Sequence, residues 1–225
     1  MRWLERAERD GRALFLLGRI EGDKEDGECD YQLAFRFFRA AADLDNDQAA
    51  YSIGVMYSMG AGVEPDAAEA FAWFKRSAEL GSADGYRAIG LMYANGQGVS
   101  PNLDKAEAAW LSAIDLGQSD ALVDLARLYS KRQDSVKSAN FYLRAAGAGH
   151  SEIIQDLLNL CPSLKKGLAD SGNVCARTFL GVIFMTYVDA PEQTVELLSQ
   201  SSADGDPVAQ RTLGYIFRER PGCGA

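Results

Sequence analysis

The sequence predicts an all-α protein: an α/α solenoid wound as a right-handed superhelix from about six to seven helix-turn-helix repeats. Three observations carry that prediction. The chain repeats at a fixed length, each repeat has aliphatic columns at helical spacing, and a glycine-and-proline loop joins the helices within it. The repeat is plainest when YSIGVMYSMGAGVEPDAAEAFAWFKRSAELGSAD, from Tyr51, is set above RAIGLMYANGQGVSPNLDKAEAAWLSAIDLGQSD, from Arg87. Gly54, Tyr57, Gly60, Gly62, Val63, Pro65, Ala70 and Gly81 each recur 36 residues later, without a gap.

With Gly54 as a marker, the equivalents along the chain are Gly18, Gly54, Gly90, Ala126, Leu158, Gly181 and Gly214, spaced 36, 36, 36, 32, 23 and 33 residues apart. The residue before the marker is Leu17, Ile53, Ile89, Leu125, Leu157, Leu180 or Leu213, and the second residue after it is Ile20, Met56, Met92, Leu128, Leu160, Ile183 or Ile216. Adding the small residues five before the marker puts the apolar positions at -5, -1, +2 and +3. At about 100° per residue these share one face of an α-helix. A second helix follows in each unit, marked by Phe37 and Phe38, Trp73 and Phe74, Trp110, Phe141 and Tyr142, and Leu197 and Leu198. Seven first helices and six second helices make about 13 in all, with Ile89 and Leu180 expected to be buried between units.

Gly60-Ala-Gly62-Val-Glu-Pro65 and Gly96-Gln-Gly98-Val-Ser-Pro101 join the two helices, glycine for left-handed backbone and proline to open the next helix. No strand precedes these GxG pairs and the third glycine of a dinucleotide fingerprint is missing, so they read as turns and not as a phosphate cradle. The run Ala49, Ile53, Gly54, Tyr57, Gly60, Gly62, Val63, Ala70, Trp73 and Gly81 resembles the Sel-one-like repeat (SLR), a relative of the tetratricopeptide repeat. The match is strongest over residues 46 to 120, fair from 9 to 45, and weaker from 121 onward. The resemblance implies an α/α solenoid that serves as an adaptor in protein complexes, in bacteria often in signalling, secretion or toxin-immunity settings.

A single solenoid domain over residues 1–225 is expected. Trp3 to Gly11 resembles Trp73 to Gly81, so residues 1–11 are expected to form a capping helix. Residues 12–149 form the regular repeats. Residues 150–172 form a degenerate unit, in which Pro162 to Ala169 has room for about two helical turns. Residues 173–225 form the C-terminal repeats, ending on a first-type helix whose open face is sealed either by a polar tail or by another chain.

Composition narrows the function. A net charge of -9 offers no bulk attraction for nucleic acid or anionic lipid. The longest uncharged apolar-rich stretch, Thr178 to Val188, is 11 residues, short of the ~20 a spanning helix needs. The charged N-terminus points to a cytoplasmic protein. Cys29, Cys161, Cys175 and Cys223 lack CxxC spacing and are expected to be free thiols. The one histidine, His150, follows Gly149 as Ser82 follows Gly81, in an inter-helix turn. Neither a metal cluster nor a catalytic constellation can be assembled from these residues, and no cofactor is expected.

The expected function is a non-enzymatic scaffold or adaptor that takes a partner protein segment in a concave groove. One alternative is an immunity protein occluding a bacterial toxin enzyme. A remote one is a β-lactam-binding or hydrolysing enzyme, as the resemblance implies for cysteine-rich SLR proteins; those carry regular cysteine pairs that this chain lacks.

The groove has a predicted location. Opposite the inward face lie positions -6, -3, +1 and +4, which hold Arg12, Arg19, Arg87, Arg127, Arg211 and Arg218, six of the chain's 16 arginines, and none of its 7 lysines. The acids on this stripe are Asp84, Asp120 and Glu152, so it sums to +3 against -12 for the remainder. Gln48 and the apolar anchors Phe15, Tyr51 and Tyr215 are interleaved with them. Arginine forks suit carboxylates, which predicts a partner segment with acidic and hydrophobic side chains. The competing reading is that these arginines pair with neighbouring carboxylates such as Asp84 and Asp120.

Overall fold

The computed structural model describes residues 10–23, 29–150, 153, 156, 159–160, 174–188 and 191–219. Among them are eleven α-helices and no strand. The chain divides into two compact units, residues 1–121 and 122–225.

The first unit contains three helix pairs, α1 (Gly11–Gly22) with α2 (Tyr31–Ala42), α3 (Asp47–Met59) with α4 (Ala67–Glu79), and α5 (Ala83–Asn95) with α6 (Leu103–Asp115). Each helix packs on the next one in the chain, both within a repeat and from one repeat to the next. Starts are set by side-chain caps: Asp10, Asp30, Asn46, Asp66, Ser82 and Asn102 each accept one or more backbone N–H groups of the first turn. Asp10 thus opens α1, and Gly11, expected to end a capping helix, is instead its first residue. Residues 1–9 of that expected cap lie outside the described residues.

The marker glycine has a packing reason. A Cβ on Gly18 would come within 2.7 Å of the Phe38 ring, on Gly54 within 2.6 Å of Phe74, and on Gly90 within 2.4 Å of Trp110. In each repeat a flat aromatic ring of the second helix lies directly on the backbone of the first. Trp110 also donates its indole N–H to the Arg87 carbonyl at 3.3 Å.

The second glycine of each GxG loop combines two demands. Gly62 and Gly98 have φ of 74° and 66°, and a Cβ there would lie 2.6 Å from the Tyr31 carbonyl oxygen and 2.0 Å from that of Ala67. Each loop therefore rests on the first turn of the preceding repeat's second helix, where a side chain has no room.

The second unit contains α7 (Asp120–Lys131), which begins at the boundary, α8 (Ser135–Gly147), α9 (Val174–Ile183) continued by a π-helical turn Phe184–Val188, α10 (Pro191–Ala203) and α11 (Pro207–Glu219). Tyr129 and Phe141 stack between α7 and α8 with ring centroids 5.6 Å apart. Leu198, Ala209, Leu213 and Ile216 form the core that joins α10 to α11. Eleven of the 13 expected helices are thus in place. The fifth pair and the short helix expected at Pro162 to Ala169 lie outside the described residues, apart from Ile153, Asp156, Asn159 and Leu160.

The inward columns are buried at Ile53, Met56, Met92, Leu125, Leu128, Leu180 and Ile183. Two expectations need correcting. Ile89 is half-buried, packing at the side of the Ala70, Phe74 and Met92 cluster, and is not enclosed between units. Ile20 is 61% exposed, where its equivalents Met56 and Met92 are 6% and 5% exposed beneath a neighbouring unit's helix.

Candidate functional site

A hollow of about 570 Å³ opens in the first unit on the predicted stripe. Phe15, Arg19 and Gly22 of α1 form one wall, and Gln48, Tyr51, Ser52, Val55, Met56 and Met59 of α3 the other. Tyr31, Ala34 and Phe38 of α2 lie at its base, and Asp23, Ala61, Ser82 and Asp84 contribute at the margin. Of the residues predicted from sequence, Phe15, Arg19, Gln48, Tyr51 and Asp84 are brought together here. A second hollow, about 450 Å³, lies one repeat further along and is lined by Tyr51, Ser58, Phe74, Ala88, Leu91 and Met92 among others. Tyr51 lines both, so the two are successive recesses of one furrow within the unit.

The walls follow from the packing of the repeats. Tyr51 lies against Phe74 with ring centroids 5.3 Å apart, and Phe15 against Phe38 at 5.7 Å. Burial lifts the Tyr51 phenol above its ordinary pKa; the neighbouring Asp84 carboxylate adds to the rise and Arg87 opposes it. Tyr31 and Phe38 are not among the predicted groove residues because the predicted stripe lies on the first helices alone. Met59 sits one position beyond the stripe, 76% exposed, and the base is supplied by the second helix.

Among the described residues, three of the six stripe arginines pair with carboxylates. Arg87 Nη1 lies 2.9 Å from Asp120 Oδ2. Arg19 lies 3.8 Å from Asp23, one turn on. The amide of Gln118 donates to Asp84. In the second unit, Arg127 lies 3.9 Å from Asp156, and both groups adjoin Tyr142, whose phenol is raised chiefly by burial. Arg12 on α1 and Arg211, Tyr215 and Arg218 on α11 are exposed. The -3 column is not wholly solvent-facing: Phe15, Val123 and Thr178 are 9%, 7% and 2% exposed. Glu152 lies outside the described residues.

The remaining candidates are placed simply. His150 closes a turn, its backbone N–H donating to the Ala145 carbonyl at 3.1 Å. Cys29 forms no disulfide and is half-buried, and its hydrogen bond to Tyr31 is the main cause of a raised phenol pKa there. Cys161 and Cys223 lie outside the described residues, as does the side chain of Cys175. Among the described residues no three of His, Cys, Asp and Glu are grouped to hold a metal ion, and no helix is long and apolar enough to cross a membrane.

Comparison with known proteins agrees with this architecture. No curated protein sequence matches the chain. Among solved structures, a Sel1 repeat protein from Oxalobacter formigenes superposes with a TM-score of 0.60 at 21% identity, covering 96% of this chain and 82% of its own. A second, c5321, a protective antigen of uropathogenic Escherichia coli strains with an SLR fold, gives a TM-score of 0.52 at 23% identity, covering 93% of this chain and 57% of its own. The Sel1 repeat matches residues 11–46, 47–82, 83–117 and 119–150, the first three beginning at the capped starts of α1, α3 and α5 and the fourth one residue before α7. The chain belongs to the Sel1 repeat family, within the tetratricopeptide-like superfamily.

Proposed function

We propose that this chain is a non-enzymatic interaction scaffold that takes a segment of a partner protein into the furrow along α1, α3 and α5. Sel1 repeats typically build protein-interaction scaffolds, and that fold-level analogy sets the class. The observation that carries the specific reading is the pair of recesses one repeat apart that share Tyr51, with aromatic walls and the exposed thioether of Met59 beside the first. Rigid aromatic rings and an adaptable methionine are the side chains protein interfaces enrich. A recess of this size accepts one or two anchoring side chains, and its repetition suits an extended or helical segment with several.

The test is site-specific crosslinking in source cells. A photo-reactive residue at Val55 or Met59 is expected to capture the same protein, identified by mass spectrometry. The same residue at Arg36, exposed on α2, is expected not to capture it. Equal capture from Arg36, or capture from neither furrow position, would overturn the reading.

A further inference from the structure

We infer that the recess between the first two repeats takes a basic, apolar segment: a long hydrophobic side chain with a lysine or arginine beside it. This partner chemistry presupposes binding in the furrow, as proposed above, and reverses the acidic partner that the arginine-rich stripe predicts.

The reversal comes from how the charges are used. The recess is lined by three charged groups, Arg19, Asp23 and Asp84, which sum to -1. Arg19 is ion-paired with Asp23 at 3.8 Å, so those two largely cancel at a distance. Arg87, three residues from Asp84 on the same helix, is held by Asp120 at 2.9 Å, the tightest of the pairings on the stripe in the first unit. Asp84 receives the neutral amide of Gln118, which orients the carboxylate and leaves its charge in place. The Tyr51 phenol on the wall of the recess is raised chiefly by burial, with Asp84 adding to the rise and Arg87 opposing it. An incoming carboxylate would therefore meet Asp84 with the lining's guanidinium already engaged, whereas an ammonium or guanidinium would meet an exposed acceptor.

The walls favour the same guest. Phe15, Tyr31, Phe38 and Tyr51 present aromatic rings to the space, and ring faces attract cations as well as alkyl chains. The four-carbon stem of lysine or the stem of arginine can lie along such a wall with its charged end at the rim beside Asp84. Met59, 76% exposed at the mouth, can adjust its unbranched chain around the hydrophobic neighbour. At longer range the net charge of -9 draws a basic partner and repels an acidic one.

Two end-blocked fluorescent decapeptides test this, sharing one tryptophan-and-leucine frame with lysine at the polar positions of one and glutamate at those of the other. Each is titrated by anisotropy against the full chain and against Asp84→Asn, Met59→Gln and Asp115→Asn. Asp115 is exposed at the end of α6, away from the recess lining, and serves as the charge-matched control. The lysine peptide is expected to bind at least about tenfold more tightly than the glutamate peptide. Asp84→Asn is expected to weaken the lysine peptide about fivefold, and Asp115→Asn less than about twofold. Met59→Gln, at a position 76% exposed, is expected to weaken it by about threefold or more. Equal losses from Asp84→Asn and Asp115→Asn would reduce the attraction to net charge and overturn the inference, as would equal affinity for the two peptides. A glutamate peptide that binds more tightly and is weakened by Met59→Gln would overturn the basic guest while leaving furrow binding intact. If Met59→Gln left both peptides unchanged, furrow binding would fall with it.

Discussion

The two units use the same helix pair and differ in how regularly they close it by shape. In the first, shape recurs in every repeat: Phe38, Phe74 and Trp110 lie on Gly18, Gly54 and Gly90, and the loops at Gly62 and Gly98 settle onto the preceding repeat's second helix, with polar ties such as Ser77 to the Asp47 carbonyl at 2.8 Å and Arg76 to the Ala42 carbonyl at 2.6 Å beside them. In the second, Gly181 keeps the shape rule, with Leu198 2.7 Å from where its Cβ would stand, but the marker at Ala126 is no longer glycine and the Ser138 hydroxyl donates to its carbonyl at 2.8 Å. Thr178 donates to Asp206 at 2.8 Å, Arg177 pairs with Asp204, and a π-helical turn extends α9. Shape closure needs one residue type at each position and so leaves a readable period. Polar closure needs only a donor within reach of an acceptor, which many spacings satisfy, and the period dissolves. The regular unit is also where the two recesses form, because evenly placed helices leave evenly placed gaps.

The largest expected effect tests burial in each unit with one kind of truncation. Leu180, 1% exposed in the second unit, should lose about 2 to 5 kcal/mol on Leu180→Ala. The half-buried Ile89 of the first should lose only about 1 to 2 kcal/mol on Ile89→Ala, since less surface leaves water there. Urea denaturation measures both. Equal losses would mean that Ile89 is as enclosed as its column suggests.

Ile89 also marks how far sequence can be read. The columns at -1 and +2 located the helices and their packing face, and the loop glycines located the turns, because both are local consequences of 3.6-residue periodicity and of backbone sterics. The stripe opposite was harder. A first helix lies between the second helix of its own repeat and that of the one before, so it buries two arcs. Position -3 falls at the edge of the arc that faces the second helix of its own repeat, where Phe15 meets Phe38 and Tyr51 meets Phe74. Sequence thus found the helix face that holds the recess, yet missed Tyr31, Phe38 and Met59, which come from the neighbouring helix or from just past the stripe. The arginine count was legible, but the carboxylates that engage it were only partly so. Asp84 and Asp120 are on the stripe, whereas Asp23 and Asp156 are not, and pairing is a property of three-dimensional neighbours.

Next in size is the test of shape closure. Gly98→Ala places a Cβ 2.0 Å from the Ala67 carbonyl oxygen at φ 66°, combining a backbone clash with a left-handed alanine. A loss of about 2 to 4 kcal/mol is expected. Gly117→Ala isolates the second component, since at φ 93° nothing lies within 4 Å of the added atom. Its loss should be about 1 to 2 kcal/mol, measured by the same denaturation. If the two variants matched, the loop would not rest on the preceding helix as described.

Polar closure should be weaker at each point. Asp206 caps α11 through Val208 N–H at 2.8 Å and Ala209 N–H at 3.3 Å, and accepts the Thr178 hydroxyl at 2.8 Å. Asp206→Ala removes the cap and leaves Thr178, 2% exposed, with its hydroxyl unsatisfied, at a cost of about 1 to 3 kcal/mol. Asp206→Asn keeps one oxygen for the cap and turns its amide N–H toward Thr178, whose hydroxyl oxygen then accepts where it had donated, and should recover most of it. Failure of asparagine to rescue would assign the loss to the carboxylate's charge and not to hydrogen bonding.

The smallest effect has the opposite sign and comes from the loop where the second unit departs from the repeat. Between α7 and α8 the GxG pair is absent, and Gln133 takes φ of 60°, its N–H donating to the Ser130 carbonyl at 3.0 Å. A side chain in that conformation crowds its own backbone, costing about 1 to 2 kcal/mol relative to a right-handed one. Glycine removes the crowding but enlarges the unfolded ensemble, which takes back about half. Gln133→Gly should therefore stabilise the protein by about 0.5 to 1 kcal/mol, seen as a higher urea midpoint at an unchanged slope. Asp45, at φ 57° in the first unit, offers the contrast, because its carboxylate pairs with Arg76 at 3.7 Å. Asp45→Gly gives up that contact and should gain less. The difference between the two variants then measures how much of the left-handed strain a side chain recovers when it has something to hold.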